Sequence, residues 1–330
     1  MSLLNFTRMF SLERRQPASL PEGLRIYAVG DVHGRLDLLE TLARRIEADL
    51  RNSPALAVTV FLGDYVDRGP DSAGVLDRLA RGDFPTEFLA LRGNHEEVML
   101  GFLENPDILE SWRNYGGLET LHSYGIDVLP ALRGMGYQEM RDSLLERLPT
   151  SHLNFLRETA HSTTFGDYFF CHAGARPGTP LDQQTPRDLL WIREEFLEFR
   201  GAWDRVVVHG HTPVDEPELL ATRINVDTGA FASSILTAVA LEGSERRIIS
   251  TAQRERSRVE ATSRGPKAAG LKRGAPSAFA GDEPQPLREA REIRRRLAWA
   301  LPLQQGAQAE TPQLVHKGEH RGVRFAAAED

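Results

Sequence analysis

Between Leu24 and Arg92 the chain alternates apolar, β-branched runs with stretches of helical periodicity, and this alternation limits its fold more than any other feature. The runs 24–29, 56–62 and 86–91 read as strands, and 36–50 and 72–81 read as the helices between them. A βαβαβ order implies a parallel sheet, because each crossover must return the chain to the same end of the sheet. Residues 95–160 then read as helical, with Leu, Glu and Arg at helical spacing and breaks at Pro106, Gly116-Gly117 and Pro149. Short strands return at 167–171, 205–209, 223–227 and 235–241, around a helix near 187–200. The expected organisation is therefore an arm over 1–22, an α/β body over 23–250 with a helical insertion at about 95–160, and a tail over 251–330.

Charge separates body from tail: the first 250 residues carry a net −12 and the last 80 a net +5. So acidic a body argues against a nucleic-acid clamp, because it repels the phosphate backbone. No run approaches the roughly 18 consecutive apolar residues of a membrane-spanning helix. The single cysteine, Cys171, excludes a disulfide framework and a structural thiolate zinc site. Leu3, Leu4, Phe6, Met9, Phe10 and Leu12 among Arg8, Arg14 and Arg15 suggest a short amphipathic helix packing on the body, and the interrupted apolar stretch does not resemble a secretory signal. A cytoplasmic location is the expectation. The tail is too poor in large apolar residues to repay its ordering entropy and is expected to be mostly disordered. Within it Leu287, Ala290, Ile293, Leu297 and Leu301 share one face of a basic helix over 287–301, either transient, docked on the body, or docking a partner or anionic membrane surface.

Five segments carry the chemistry, each at the carboxyl end of an expected strand, where open α/β sheets bind ligands. They are Gly30-Asp31-Val32-His33-Gly34, Gly63-Asp64-Tyr65-Val66-Asp67-Arg68-Gly69, Gly93-Asn94-His95-Glu96, Cys171-His172-Ala173-Gly174 and Gly210-His211-Thr212-Pro213. Carboxylate, imidazole and amide oxygen are ligands that divalent transition metals accept, and flanking glycines permit the sharp turns that convergence requires. Taken singly, each segment has a structural explanation as a turn, a helix cap or a buried histidine. Their joint occurrence, in this order, argues for a common site.

Together these motifs resemble the phosphoprotein phosphatase branch of the calcineurin-like metallophosphoesterases, especially the bacterial and phage serine/threonine phosphatases. The resemblance covers roughly residues 24–242 and rests most on the Gly-Asp-x-Val-Asp-Arg-Gly form. It implies two packed mixed β-sheets flanked by helices. It further implies one metal held by Asp31, His33 and the bridging Asp64, and a second held by Asp64, Asn94, His172 and His211. Two divalent cations are implied, with manganese favoured and iron, zinc or cobalt also compatible with the ligand types. Arg68, and Arg193 in Trp191-Ile192-Arg193-Glu194, would grip phosphate oxygens, since a guanidinium offers paired planar donors. His95 would protonate the leaving alkoxide, positioned and kept cationic by Asp67. The implied reaction is direct attack of a metal-bridging hydroxide on a phosphoserine or phosphothreonine ester. Hydrolysis of a dinucleoside tetraphosphate or another nucleotide is the main alternative, followed by tyrosine phosphatase activity and a non-catalytic scaffold. The partner is then a phosphoprotein or a phosphorylated small molecule, with groove loops and the insertion, including Trp112 and Gly116-Gly117, setting the choice.

Three further residues need separate treatment. His209 would lie on the same side as His211 if the strand continued, but only His211 aligns with the motif, so His209 is assigned to supporting or core packing. Cys171 lacks the arginine-terminated phosphate loop of a cysteine phosphatase and reads as a strand-end packing residue. Asp227, in Asn225-Val226-Asp227-Thr228-Gly229-Ala230, is expected beside the site, hydrogen-bonding a ligand histidine.

Overall fold

A computed structural model of the chain describes residues 17–52 and 56–252. Most of the arm (1–16) and nearly all of the tail, with its 287–301 helix, lie outside these residues. Among the described residues ten strands form two five-stranded mixed sheets. The first has the order β10-β9-β1-β2-β3, built from β1 (Leu24–Val29), β2 (Leu56–Phe61), β3 (Glu87–Ala90), β9 (Thr237–Glu242) and β10 (Glu245–Ser250). The second has the order β4-β5-β6-β8-β7, from β4 (Ser162–Phe165), β5 (Tyr168–Cys171), β6 (Val206–His209), β7 (Glu218–Leu219) and β8 (Arg223–Asn225). β1, β2 and β3 run parallel, as the βαβαβ pattern predicts, and so do β5, β6 and β8. β9 pairs antiparallel with β1, and β10 antiparallel with β9, so β9 runs against the other strands and makes the first sheet mixed.

Alternation along the strands explains why the sheets stack. Ile26, Val60 and Val239 of the first sheet meet Phe170, Val208 and Ile224 of the second in one buried cluster. Their chain neighbours point the other way: Tyr27 and Phe61 pack under helices α1 (Leu36–Asp49) and α2 (Ser72–Ala80), while Phe169 and Val207 pack against Phe196 and Trp203. Each large apolar side chain so buried contributes roughly 1.5–3 kcal/mol. Strands covered on both faces read as near-continuous apolar runs, which is why β1, β2 and β6 were legible.

Three differences from the sequence reading have local causes. The strands β4, β7 and β10 were not anticipated; they are polar edge or short strands, such as Glu245–Ser250, which lack an apolar run. The helix expected near 187–200 is two short helices, Pro186–Trp191 and Glu194–Leu197, separated where Ile192 turns extended (φ −64°, ψ 142°). The strand carrying His209 ends there, and His211 follows in a left-handed turn (φ 66°). Among the described residues no helix is long and apolar enough to cross a membrane.

Candidate active site

The loops leaving β1, β2, β3, β5, β6 and β8 meet at one end of the two sheets. Val32 and His33 donate their backbone N–H groups to Asp64 O at 3.0 and 2.8 Å, and Gly34 donates to Tyr65 O at 2.8 Å, tying the first two loops together. His172 Nδ1 donates to Leu62 O at 2.9 Å, and Asp31 accepts the His211 N–H at 3.2 Å, which joins one sheet to the other. Backbone strain is concentrated here. Among the described residues the non-glycine residues with positive φ are His33, Asp64, Asp67, Arg68, His211 and Ser234. Each left-handed residue costs on the order of 1 kcal/mol, a cost the surrounding hydrogen bonds must offset. Glycine is needed where backbone and carboxylate crowd: a Cβ at Gly210 would collide with Asp31 Oδ1.

Glu96 holds this geometry. It is fully buried on helix α3 (Asn94–Glu104) and accepts four backbone N–H groups: Tyr65 at 2.7 Å and Val66 at 3.2 Å on Oε1, Asp64 at 2.8 Å and Gly93 at 2.9 Å on Oε2. Burial pushes its carboxyl up to about 7 even though those four donors pull it down. The sequence reading quoted Glu96 in its motif but gave it no role, because four acceptor contacts to a distant loop leave no local signature.

Four polar side chains converge beside this loop. Asn94 Oδ1 lies 2.9 Å from both His172 Nε2 and His211 Nδ1, those two nitrogens are 3.1 Å apart, and His172 Nε2 is 3.4 Å from Asp64 Oδ1. The His172 proton sits on Nδ1, facing Leu62 O, so its Nε2 presents a lone pair to an amide oxygen and a carboxylate. Burial moreover holds His172 down to about 3, so no second proton arrives at neutral pH. The bare His172 Nε2 faces an amide oxygen and a carboxylate in a dry site, and this set of nitrogen and oxygen atoms fits a divalent transition metal.

A second group lies on the other side of Asp64. His33 gives its Nδ1–H to Val66 O at 2.8 Å, which leaves Nε2 bare and 3.5 Å from Asp64 Oδ2. His33, Asp64 and His95 form one candidate metal group, and Asp64, His172 and His211 form another, with Asp64 common to both. Asp31 adjoins the same carboxylate: burial, then the charges of Asp227 and Asp64, push it well above the usual carboxylate range. Asp64 is raised likewise by burial and by Glu96. Stacked buried carboxylates of this kind are stable as anions only where positive charge compensates them.

His95 differs from the other histidines. Its Nδ1 lies 2.6 Å from Asp67 Oδ2, and its Nε2 lies 3.3 Å from Arg68 Nη2. Asp67, fully buried, also accepts Trp112 Nε1–H at 2.7 Å and Thr120 Oγ1–H at 2.6 Å. Burial, then the Arg68 and Arg193 charges, lower His95 to about 3, while burial raises Asp67 to about 7. Arg68 also stacks on Phe231, its Cζ 4.6 Å from the ring centroid. Arg193 is exposed at the break between the two short helices, close enough for its charge to act on His95, His172, His211 and Asp227.

The structure thus brings Asp31, His33, Asp64, Asp67, Arg68, Asn94, His95, His172, Arg193 and His211 into one locality. Trp112, to which the sequence reading gave a part in substrate choice, faces inward. It is only 1% exposed, because its indole N–H is committed to Asp67. Among the described residues Asp227 does not hydrogen-bond a ligand histidine; its carboxylate accepts the Gly229 N–H at 2.9 Å, and its charge helps raise Asp31. His209 faces away, edge-on to Phe196 with centroids 4.9 Å apart. Cys171 is buried and donates to Gly174 O at 3.3 Å. Thr120 and Phe231 were missed altogether, since isolated residues of these types carry no motif.

Comparison with known proteins bears on the same region. Among curated relatives, the asymmetrical bis(5'-nucleosyl)-tetraphosphatase PrpE of Oceanobacillus iheyensis is 28% identical over 259 residues, which is 70% of this chain and 94% of the relative. Serine/threonine-protein phosphatase 1 of Salmonella typhimurium is 29% identical over 222 residues, 64% of this chain and 89% of the relative. The crystal structure of a cold-active protein-tyrosine phosphatase from a psychrophilic Shewanella species aligns at a TM-score of 0.41 and 18% identity, covering 70% of this chain and 83% of the other. The calcineurin-like phosphoesterase profile matches residues 24–232, the span that supplies every loop of the site, and the chain is accordingly a metallophosphoesterase of the calcineurin-like family.

Proposed function

We propose that the chain hydrolyses phosphate monoesters with two divalent cations, manganese foremost, and that its substrates are phosphoserine and phosphothreonine side chains. The observation that carries this is His95, backed by Asp67 at 2.6 Å and adjoined by Arg68 at 3.3 Å, next to the converging acceptors around Asp64. Asp31, His33 and Asp64 would hold one cation, and Asp64, Asn94, His172 and His211 the other. Cations bound there supply Lewis acidity and bring the pKa of water toward neutrality. Arg68 and Arg193 then bind phosphoryl oxygens and offset the negative charge that grows on them. Phosphate competes with His95 Nε2 for the Arg68 guanidinium, which frees Nε2 to take a proton from solvent and pass it to the departing alkoxide. Asp67, itself fixed by Trp112 and Thr120, keeps the imidazole in that orientation.

A second reading, hydrolysis of a dinucleoside tetraphosphate, is favoured by Trp191, which is 40% exposed two residues before Arg193 and offers an aromatic face for a base. Relatives bear both activities in their names. Rates on a phosphoserine peptide, a phosphotyrosine peptide and diadenosine tetraphosphate, measured on protein of known metal content, decide between them. The proposal is refuted if metal-replete protein leaves all three intact. A single turnover in heavy-oxygen water should place label in phosphate, and a trapped phosphorylated side chain would exclude direct attack by water.

A further inference from the structure

We propose that Phe231 is a positioning residue for phosphate binding: its ring is the platform that holds the Arg68 guanidinium over the site. This rests on the reading of Arg68 as a phosphate-binding group. Arg68 forms no ion pair within the described residues, although Asp31, Asp64, Asp67 and Asp227 all feel its charge. Two contacts fix the guanidinium: His95 Nε2 at 3.3 Å and the Phe231 ring at 4.6 Å. An arginine without a carboxylate partner would otherwise spread over many rotamers, and phosphate would have to order it on binding. Stacking on a ring face restrains the guanidinium while leaving its in-plane N–H donors available to an anion.

The ring itself is firmly mounted. Its turn, Ala230–Ser233, starts after a left-handed Gly229 (φ 63°) and ends at a left-handed Ser234 (φ 59°). Arg35 Nη1 reaches across to donate to Ala230 O at 2.9 Å and Ser234 Oγ at 3.1 Å, and Ser233 Oγ donates to Thr228 O at 2.7 Å. Phe231 also meets His33 edge-on, with centroids 5.5 Å apart and the planes at 86°. That contact braces the ring that carries the Arg68 stack. Leucine would preserve much of the apolar volume but remove the face, whereas tyrosine would retain it.

The test uses metal-replete full-length protein and the variants Phe231→Leu, Phe231→Tyr, Arg68→Ala and Arg68→Ala/Phe231→Leu. Orthophosphate affinity is measured by calorimetry and p-nitrophenyl phosphate kinetics by absorbance, with metal content determined for each. Phe231→Leu should weaken orthophosphate about three- to tenfold, the range a partly desolvated cation–π contact represents. KM should rise more than kcat falls, and Phe231→Tyr should restore both. In the Arg68→Ala background the leucine substitution should add nothing. Orthophosphate binding unchanged by Phe231→Leu, a fully additive double variant, or loss of bound metal in Phe231→Leu would overturn the proposal. If Arg68→Ala itself leaves orthophosphate affinity intact, the phosphate-binding reading of Arg68 fails and this inference with it.

Discussion

Replacing Asp67 with asparagine isolates what the buried carboxylate does for His95. The carboxylate receives three side-chain donors: His95 Nδ1 at 2.6 Å and Trp112 Nε1 at 2.7 Å on Oδ2, and Thr120 Oγ1 at 2.6 Å on Oδ1. The amide oxygen can replace Oδ2 and keep the first two. The amide N–H group then faces Thr120 Oγ1, whose hydroxyl hydrogen can turn to Ser72 Oγ, 3.0 Å away. The Ser72 hydroxyl hydrogen, which now points to Thr120 Oγ1, then loses its acceptor, and against that cost the loss of a carboxyl that burial pushes up to about 7 relieves desolvation. Stability should change by no more than about 1 kcal/mol. Catalysis should change more, because the proton His95 must carry in the proposed acid step, which burial and the Arg68 and Arg193 charges disfavour in the free site, loses the anion that stabilises it. The difference between a charge-assisted and a neutral hydrogen bond is about 1–2 kcal/mol, which is roughly a 5- to 30-fold fall in kcat. The fall should appear on a phosphoserine peptide and be below about threefold on p-nitrophenyl phosphate, whose leaving group needs little protonation. Steady-state kinetics on both substrates, with thermal unfolding of the same preparations, measures each term. Equal losses on the two substrates would refute the positioning of an acid by Asp67.

Other substitutions test the scaffold. Glu96→Gln must turn an amide N–H group toward two backbone donors in either orientation, so it should lower unfolding stability by about 2–4 kcal/mol in urea titrations, and an unchanged midpoint would remove Glu96 as the loop's anchor. Burial raises the Cys171 thiol, so the native protein should resist a disulfide-exchange reagent at pH 8 and release one thiol only when unfolded; stoichiometric labelling of the native state would contradict its packing. Asp49, although burial raises it, is held below the usual carboxylate range by hydrogen bonds from Arg247 and Tyr27 and by the charges of Arg247 and Arg25. Its contribution should be complete above the unfolded value of about 3.9 and be lost as pH falls through the lower folded value. Asp49→Asn should thus flatten the acid limb of stability against pH, and an unaltered limb would show that the network contributes nothing there.

The parts of the site that were legible share one property: their meaning lies in neighbouring residues. Gly-Asp-x-Val-Asp-Arg-Gly announces a strand end, a tight turn and several side chains facing the same space. His172 and His211 were legible because each adjoins a glycine or small residue at the end of an apolar run. The illegible parts depend on contacts between remote segments. Glu96 binds residues about thirty positions earlier, and Thr120 reaches Asp67 across fifty-three positions. The same limit explains the misread helix near 187–200, where periodicity continued through Ile192 but the backbone turned extended and exposed Arg193.

The helical insertion shows why that limit bears on chemistry as well as shape. Sequence reasoning assigned it to substrate choice, yet two of its side chains, Trp112 and Thr120, are spent on Asp67, and Gly116 O accepts the Arg68 N–H at 3.3 Å. A Cβ at Gly116 would collide with the Arg68 backbone, so the insertion is pressed against the very residue whose left-handed conformation (φ 67°) aims its guanidinium. An insertion that only shaped a groove could be exchanged between relatives without altering the site. This one supplies two donors to the carboxylate behind His95 and a backbone acceptor to Arg68, so its packing and the proposed acid step are coupled. What remains free to set substrate preference is its outer surface, where Tyr115 is 57% exposed one residue before Gly116.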